Sequence, residues 1–336
     1  MTTMRAWQID FATKEFSLRQ VPIPEPGPDE VRVKVCAAGV CLSDVHLING
    51  TIGPMRNVDA IRTLGHEIAG TVDKLGGSVT GWEIGDRVTL QAVVERSWGT
   101  DTMGLDYDGG WADYIVVPQQ SVVAIPENLP FDQACIIPDA LSTPWAAISH
   151  TAKVRAGQSA AVWGVGGLGL HAVLLLRMIG AAPIIAVDVM SAARERAIDR
   201  GADYALDPTD SNFAKQFLAL TGERGIDRAF DFAGFPGVNE QIMPLLGTNG
   251  SLTITGMSGK PIAIEDSISL IRNRLTIHGH YGYLPPHVEE LVRLVGWDRL
   301  DISKSVSAHI PLDQADQAVR RLRDKVGDPI RLVLIP

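Results

Sequence analysis

The stretch SAAVWGVGGLGLHAVLLLRMIGAAPIIAVD, residues 159–188, decides the fold of the second half of this 336-residue chain. A short apolar run precedes glycines at positions 164, 166, 167 and 169; a long apolar segment and a second apolar run follow. Strand, glycine turn, helix and strand in this order is the context in which G-x-G-x-x-G binds a dinucleotide. The glycines permit a tight turn and close approach of the backbone, while the helix N-terminus offers N–H groups to phosphate.

Asp188 closes the second apolar run. A carboxylate at this point accepts hydrogen bonds from a ribose 2′-OH and repels a 2′-phosphate, so the sequence predicts NAD rather than NADP. On the motif alone, a turn that binds flavin, S-adenosylmethionine or nothing stays open as an alternative. The residues of the turn predicted to contact the cofactor are Gly164, Val165, Gly166, Gly167, Leu168 and Gly169.

Composition and charge restrict the class of protein. A hydrophobic content of 46% and a charged content of 21% are typical of a globular protein, and the length favours two domains. The net charge of −9 argues against nucleic acid or an anionic membrane as the main partner. Three cysteines make no disulfide framework, and neither a signal peptide nor a membrane span is evident, so we expect a cytoplasmic protein.

The sequence on both sides of the glycine motif is β-rich. Residues 30–35 alternate between apolar and polar side chains, which predicts a half-buried strand, and further short runs end in turn residues. From position 160, six strand candidates alternate with helical segments, the number found in a complete doubly wound domain. The fold class is therefore α/β: we expect a doubly wound parallel sheet in residues 152–284. A β-rich domain is expected from residues 1–151 and 285–336.

Three pieces of the β-rich part carry metal-ligand chemistry: GVCLSDVH at residues 39–46, GHE at 65–67 and PDALST at 138–143. A thiolate, an imidazole and a carboxylate form a three-ligand set for zinc that leaves one position open, although iron or cobalt also accepts such ligands. Taken singly, Cys41 is typical of a small buried residue, and Asp139 is typical of a helix cap. Gly70 excludes the H-E-x-x-H motif of zinc proteases.

In combination, G-V-C-x-S-D-x-H, G-H-E, a ligand before x-x-x-Thr, and G-V-G-G-L-G resemble the zinc-dependent medium-chain dehydrogenases, the zinc alcohol dehydrogenase group. The resemblance covers essentially the whole chain and implies a Rossmann domain that binds NAD and a GroES-like catalytic domain. It implies that Cys41, His66 and Asp139 hold the catalytic zinc, as in the subset of the family with Asp at the third position. Glu67 then lies near the metal and coordinates it when the open position is vacant.

The resemblance also implies roles for residues around the metal and the cofactor. Asp44 orients the histidine ligand, Ser43 forms a hydrogen bond with the substrate oxygen, and His46 ends the proton relay to solvent. Thr143 lies beside the nicotinamide. Arg331 resembles the arginine that reaches the pyrophosphate.

The sequence departs from many family members in residues 90–114, which contain no cysteine. This predicts one catalytic zinc and no structural zinc, with the lobe held by packing of Trp98 and its neighbours. Whether Trp98, Trp111 and Trp145 line a pocket or fill a core stays open. His280 follows the sixth strand candidate, and its position predicts that it faces the nicotinamide.

These features predict hydride transfer between a primary or secondary alcohol and NAD, which interconverts the alcohol and an aldehyde or ketone. The expected partner is a small-molecule substrate. The resemblance implies a homo-oligomer, because family members without large insertions are often dimers or tetramers paired through the dinucleotide domain. One alternative is a zinc-containing enal or enone reductase of the same family. A different class is a non-catalytic NAD-binding structural or interaction protein.

Overall fold

The structure is a computed structural model that describes residues 2–54, 61–97 and 99–336, and its contacts divide the chain into two compact units. Unit 1 comprises Met1–Ser142 and Leu284–Pro336, and unit 2 comprises Thr143–Tyr283. Trp98, to which the sequence analysis assigns the packing of the lobe, lies outside the described residues. A search of these residues for a helix that could span a membrane finds none.

Eighteen strands are present in the described residues. They are β1 Thr3–Asp10, β2 Phe16–Pro22, β3 Glu30–Val40, β4 Ile61–Thr63, β5 Ile68–Leu75, β6 Arg87–Leu90, β7 Val93–Arg96, β8 Gly99–Thr102, β9 Tyr114–Pro118, β10 Val122–Ala124, β11 Ala160–Trp163, β12 Ile184–Val187, β13 Tyr204–Leu206, β14 Ile226–Asp231, β15 Leu246–Ile254, β16 Thr276–Gly279, β17 Val306–Pro311 and β18 Arg331–Ile335.

Ten α-helices accompany these strands in the described residues. They are α1 Leu42–Asn49, α2 Phe131–Ala134, α3 Ser142–Ala146, α4 Gly169–Ile179, α5 Ser191–Asp199, α6 Phe213–Leu220, α7 Val238–Ile242, α8 Ser267–Arg272, α9 Pro285–Gly296 and α10 Ala315–Arg323. Short 3₁₀ turns occur at Gln119–Ser121, Met243–Leu245 and Leu312–Gln314.

Unit 2 is built on one parallel sheet. Its strand order is β13-β12-β11-β14-β15-β16, and every pair of neighbours runs in the same direction. Strands β11 and β12 are buried along their whole length, as expected of parallel strands covered by helices. This is the doubly wound order, in which ligands bind at the carboxyl ends of the strands. The predicted α/β fold is therefore confirmed.

Unit 1 is organised around β3, which pairs with β5 on one edge and with β9 and β18 on the other. The three valines at positions 31, 33 and 35 are buried and the side chains between them are more exposed, as the alternation in sequence predicts. Because β18 is the last strand of the chain, the sequence before and after unit 2 forms one unit. The pairing of Leu332 with Val40 determines which side chains meet at the end of β3.

Residues 131–151 form an irregular helical segment. Helix α2 is followed by a π-helical turn, Ile137–Leu141, then by α3 and a second π-helical turn, Ala147–Thr151. Pro138 and Pro144 have no N–H to donate, which interrupts the regular hydrogen-bond ladder of an α-helix. Asp139 lies in the first π-helical turn, a geometry that often marks functional sites.

Trp111 is part of the core of unit 1. Its side chain is fully buried, and its Nε1 donates a hydrogen bond of 2.9 Å to the carbonyl oxygen of Gly39. Gly65 has a φ of +95°, and a Cβ there would collide with the indole ring, so only glycine fits beside Trp111. Of the two roles left open for this tryptophan, the structure supports the core.

The cysteine-free lobe packs on this core. Met103 is fully buried, and Leu105 and Tyr107 pack against the same cluster. Asp106 and Asp108 accept hydrogen bonds of 2.9 Å from the backbone amides of Thr102 and Thr63. Burial of apolar side chains and backbone hydrogen bonds to carboxylates thus contribute to the order of the lobe.

Candidate metal and nucleotide sites

Cys41 lies at the junction of β3 and α1. Its backbone amide donates a 2.9 Å hydrogen bond to Oδ2 of Asp44, and its carbonyl oxygen accepts one from the Asp44 amide. Asp44 is the third residue of α1 and Cys41 is its N-cap, so this hydrogen bond is part of a capping box, which stabilises the helix start. The Sγ of Cys41 lies 3.6 Å from the Oγ of Ser43, which is in the first turn of α1.

His66 lies between two carboxylates. Its Nδ1 is 3.4 Å from Oδ1 of Asp44, and its Nε2 is 3.7 Å from Oδ2 of Asp139. Burial lowers the pKa of His66, but the two carboxylates more than offset this effect and leave its pKa well above the usual value. Asp44 therefore occupies the position from which a carboxylate orients a histidine ligand.

Three predicted ligands converge in unit 1. The Sγ of Cys41 lies 3.3 Å from Oδ2 of Asp139, and ligand atoms of Cys41, His66 and Asp139 all lie within 4.8 Å of one another. Burial raises the pKa of Asp139, but His66 and Arg331 more than offset this and hold it below the usual range. Sulfur, nitrogen and oxygen donors at this separation fit a zinc ion bound by three protein ligands. We call these three residues the metal cluster.

Glu67 lies beside the metal cluster but is not one of its three members. Its side chain is fully buried, and a Cβ at Gly39 would collide with its carboxylate, so β3 backbone lies directly against it. Burial raises the pKa of Glu67 to about 8, while Arg331 and His66 oppose the shift. The positive charge of Arg331 therefore favours the ionised form of the Glu67 carboxyl group.

Arg331 lies at the metal cluster. Its Nη2 is 3.1 Å from Oε1 of Glu67 and 3.2 Å from Oδ2 of Asp139, and its side chain is 3% exposed. The pairing of β18 with β3 carries Arg331 to the end of β3 next to Cys41, a contact that no local pattern indicates. The expectation that Arg331 reaches the pyrophosphate stays a prediction.

His46 and Thr143 lie on different units. His46 is partly buried on α1, burial lowers its pKa, and its Nδ1 has no hydrogen-bond partner among the described residues. In unit 2, the Nε2 of His280 donates to the Thr143 carbonyl oxygen at 3.1 Å, and its Nδ1 lies 2.9 Å from Oγ1 of Thr151. His280 is therefore a neighbour of Thr143, and its Nε2 carries a proton because a carbonyl oxygen can only accept.

The glycine turn leads from β11 into α4. Gly164 has a φ of +78°, and a Cβ there would lie 2.7 Å from backbone atoms of Ala233. A Cβ at Gly169 would collide with the carbonyl oxygen of Gly164, whereas one at Gly166 would meet no atom within 4 Å. The first and last glycines thus permit close packing within unit 2. Gly166 leaves open space in front of the helix N-terminus, as a phosphate-binding turn requires.

The Asp188 carboxylate accepts hydrogen bonds from two backbone amides, one in the glycine turn and one two residues after Asp188. Its Oδ2 accepts a 3.0 Å hydrogen bond from the amide of Val165, and its Oδ1 accepts one of 2.9 Å from Met190. Each oxygen keeps a further lone pair. Arg194 donates to the Asp188 carbonyl oxygen and forms an ion pair of 3.1 Å with Asp207, so its charge is already balanced.

Asp231 lies beside the glycine turn, and the sequence analysis did not single it out. It is buried at the carboxyl end of β14, and its Oδ1 accepts hydrogen bonds of 2.9 and 3.1 Å from the amides of Ala233 and Gly234. These bonds hold the turn that packs against Gly164. An aspartate two residues before the Ala233–Gly234 pair is the signal that could have indicated this turn.

A doubly wound unit with a glycine turn and a β-rich unit with a Cys–His–Asp cluster together define a two-unit dehydrogenase architecture. Two family models match the chain: the alcohol dehydrogenase GroES-like domain at residues 27–127 and the zinc-binding dehydrogenase at residues 167–297. Together they match more than half of it. The chain belongs to the zinc-dependent alcohol dehydrogenase family of medium-chain dehydrogenases.

Individual relatives include dehydrogenases of several substrates. The chain is 29% identical to L-threonine 3-dehydrogenase of Pyrococcus furiosus over 79% of both chains. It is 28% identical to sorbitol dehydrogenase of Bacillus subtilis, over 96% of this chain and 95% of that protein. A zinc-binding dehydrogenase from Sinorhizobium meliloti 1021 bound to NADP has a similar structure, with a TM-score of 0.90, 26% identity and full coverage of both chains. The chain is therefore an enzyme of the alcohol-dehydrogenase type.

We predict that Asp44→Ala lowers the affinity of the protein for zinc by about 10–100-fold, because His66 loses the carboxylate at its Nδ1. Competition with a chelator measures this affinity. Asp10→Ala is the control, because Asp10 at the end of β1 also accepts backbone hydrogen bonds but is not a member of the metal cluster. Wild-type affinity in Asp44→Ala would contradict the orienting role.

Proposed function

We propose that this protein is an NAD-dependent zinc alcohol dehydrogenase that interconverts a primary or secondary alcohol and the corresponding aldehyde or ketone. The observation that carries the proposal is the convergence of Cys41, His66 and Asp139 within 4.8 Å in unit 1. A chain that has this donor set and also a dinucleotide turn has the two parts that such a reaction needs. The two compact units are proposed to be its catalytic and nucleotide-binding domains; their limits at Ser142 and Leu284 lie within nine residues of the limits at 151 and 285 that the sequence predicts.

The donor set fits one catalytic zinc, because thiolate, imidazole and carboxylate are all zinc ligands and three of them leave a position for substrate. When bound, zinc supplies Lewis acidity that favours loss of the hydroxyl proton of an alcohol. Ser43, whose Oγ lies 3.6 Å from the Sγ of Cys41, is proposed to form a hydrogen bond with the substrate oxygen. Because burial lowers the pKa of His46, its ring is neutral at pH 7 and can accept a proton on the path to solvent.

NAD is the proposed cofactor, held by residues Gly164 to Gly169, Asp188, Thr143 and Arg331. Two contacts support NAD over NADP. The Asp188 carboxylate lies beside the glycine turn, where it would repel a 2′-phosphate. Arg194, the cation in contact with Asp188, is paired with Asp207 and is not free to bind such a phosphate.

We predict that Asp139→Ala removes bound zinc and alcohol turnover but retains NAD binding, because the lost ligand belongs to unit 1 and the glycine turn to unit 2. Metal analysis, an assay of NAD reduction and NAD fluorescence titration measure the three properties. Asp132→Ala is the control, since Asp132 lies in the same helical segment and pairs with the half-exposed His309. Full turnover in zinc-free Asp139→Ala protein would refute the proposed metal centre.

Product analysis over a panel of alcohols and carbonyl compounds separates the proposed activity from its alternatives. Aldehydes or ketones formed from alcohols support it. A saturated carbonyl product formed from an enal or enone would assign the protein to double-bond reduction instead. NAD binding without turnover over the whole panel would point to a non-catalytic protein.

We predict that kcat/KM with NAD exceeds that with NADP by at least about tenfold, which requires only about 1.4 kcal/mol of discrimination. Asp188→Asn narrows this ratio because the negative charge is lost. Asp199→Asn, which removes an exposed carboxylate of unit 2, leaves the ratio unchanged. A preference of the wild-type enzyme for NADP would contradict the role of Asp188.

A homo-oligomer, dimer or tetramer, is proposed from the surface of unit 2. Exposed apolar side chains concentrate shortly before the edge strand β16, where Ile268 and Ile271 are 67% and 72% exposed. Apolar patches and free strand edges of this kind favour association. We predict that sedimentation velocity gives the mass of two or four chains. The double variant Ile268→Lys with Ile271→Lys has a lower mass, and a monomeric wild-type protein would refute the proposal.

A cytoplasmic location is proposed because the three cysteines are free, and cell fractionation tests it.

A further inference from the structure

The imidazole ring of His171 contacts the glycine turn of unit 2 from within α4. His171 is the third residue of this helix, and its side chain is buried, with the residue only 1% exposed. Its Nδ1 lies 2.6 Å from the carbonyl oxygen of Gly167, four residues earlier in the chain. A carbonyl oxygen can only accept a hydrogen bond, so Nδ1 carries a proton and donates it. Because the ring is buried, water has little access to compete for this bond.

Three successive carbonyl groups of the turn are bound from the side of α4. The carbonyl oxygens of Gly166 and Leu168 accept the backbone amides four residues further on, at 3.0 and 2.9 Å. The carbonyl oxygen of Gly167, which lies between them, accepts the side chain of His171. In a trans peptide the C=O and the following N–H point in opposite directions. The amides of Gly167, Leu168 and Gly169 therefore face away from α4.

The space in front of these amides suits an anion. A Cβ at Gly166 would meet no atom within 4 Å. Within the described residues, the amide of Leu168 donates no hydrogen bond to the backbone or to a side chain. Free N–H groups at the first turn of a helix carry partial positive charge and bind phosphate. The direction of the Leu168 amide thus matters for a phosphate that binds there.

We propose that His171 is a positioning residue that directs the Leu168 amide to the pyrophosphate of the dinucleotide. The inference rests on the proposed NAD site. Glycine restrains its backbone less than any other residue, so the peptide that joins Gly167 to Leu168 can rotate. Rotation would turn the carbonyl and the amide together, and the hydrogen bond from His171 resists it. The amide is then oriented before the cofactor binds, which reduces the entropy that binding costs.

Calorimetric titration with ADP and with adenosine tests this role, because only ADP carries the pyrophosphate. In His171→Leu we expect ADP to bind about tenfold more weakly, since a hydrogen bond to a charged group is impaired, and adenosine to bind as in the wild type. His171→Asn, whose Nδ2 can replace Nδ1 as the donor, keeps most of the affinity for ADP. Thr221→Val is the control, because it removes a 3.0 Å side-chain hydrogen bond to a helix carbonyl at the end of α6 and leaves the turn intact.

Leu168→Pro gives a second measurement that does not depend on the folding of His171→Leu. This variant removes the amide itself, and the φ of −85° at this position, immediately before α4, is near the value that proline adopts. We expect a loss of ADP affinity similar to that of His171→Leu. The double variant binds ADP no more weakly than Leu168→Pro alone, because both substitutions act on one amide.

Three results would overturn the proposal. They are wild-type affinity for ADP in well-folded His171→Leu, an equal loss of affinity for ADP and adenosine, and additive losses in the double variant. The second would show that His171 supports unit 2 in general and not the pyrophosphate contact. If the wild-type protein binds neither ADP nor NAD, the proposed cofactor itself fails, and the inference fails with it.

Discussion

The ion pairs of Arg331 with Glu67 and Asp139 are the interaction on which the metal-binding part of unit 1 depends. Several acidic groups converge there with little access to water, and such groups destabilise a fold unless each has a partner. Asp44 meets this requirement through the amide of Cys41, and Glu67 and Asp139 meet it by sharing one guanidinium group. Because these residues come from separate elements, the same contacts that balance the charges also fix β3, α1 and the first π-helical turn against β18.

In unit 2 the glycine turn has open space for a ligand, and contacts with neighbouring residues keep its backbone ordered. Carboxylates provide that order. Asp188 accepts the amide of Val165 within the turn, and Asp231 accepts the amides that hold the neighbouring turn against Gly164. Gly166 is left with open space where a side chain would otherwise stand. A backbone held by its neighbours in this way can bind a pyrophosphate with a small further loss of conformational entropy.

Much of the fold could be predicted from the sequence because its signals are local. Alternation of valines indicated β3, and the order of strand, glycines, helix and strand indicated the doubly wound sheet, whose six strands lie within a few residues of the expected ranges. The candidate ligands could be named for the same reason, since Cys41, His66 and Asp139 each stand in a short distinctive motif. The positions of Trp111 and Arg331 could not be predicted. The first depends on the space that Gly65 leaves beside the indole ring and on a hydrogen bond to the Gly39 carbonyl oxygen. The second depends on strand pairing between the two ends of unit 1.

Residue type and spacing along the chain by themselves determined the architecture of this protein and the chemical identity of its candidate ligands, because helices, strands and glycine turns form from neighbours in sequence. Only the tertiary structure decided which charges meet. The register that places Leu332 opposite Val40 brings Arg331 to Glu67 and Asp139, and a shift of that register by one residue would turn its side chain to the other face of the sheet. Local patterns contain no information on such a register, because it is selected by the packing of the whole unit.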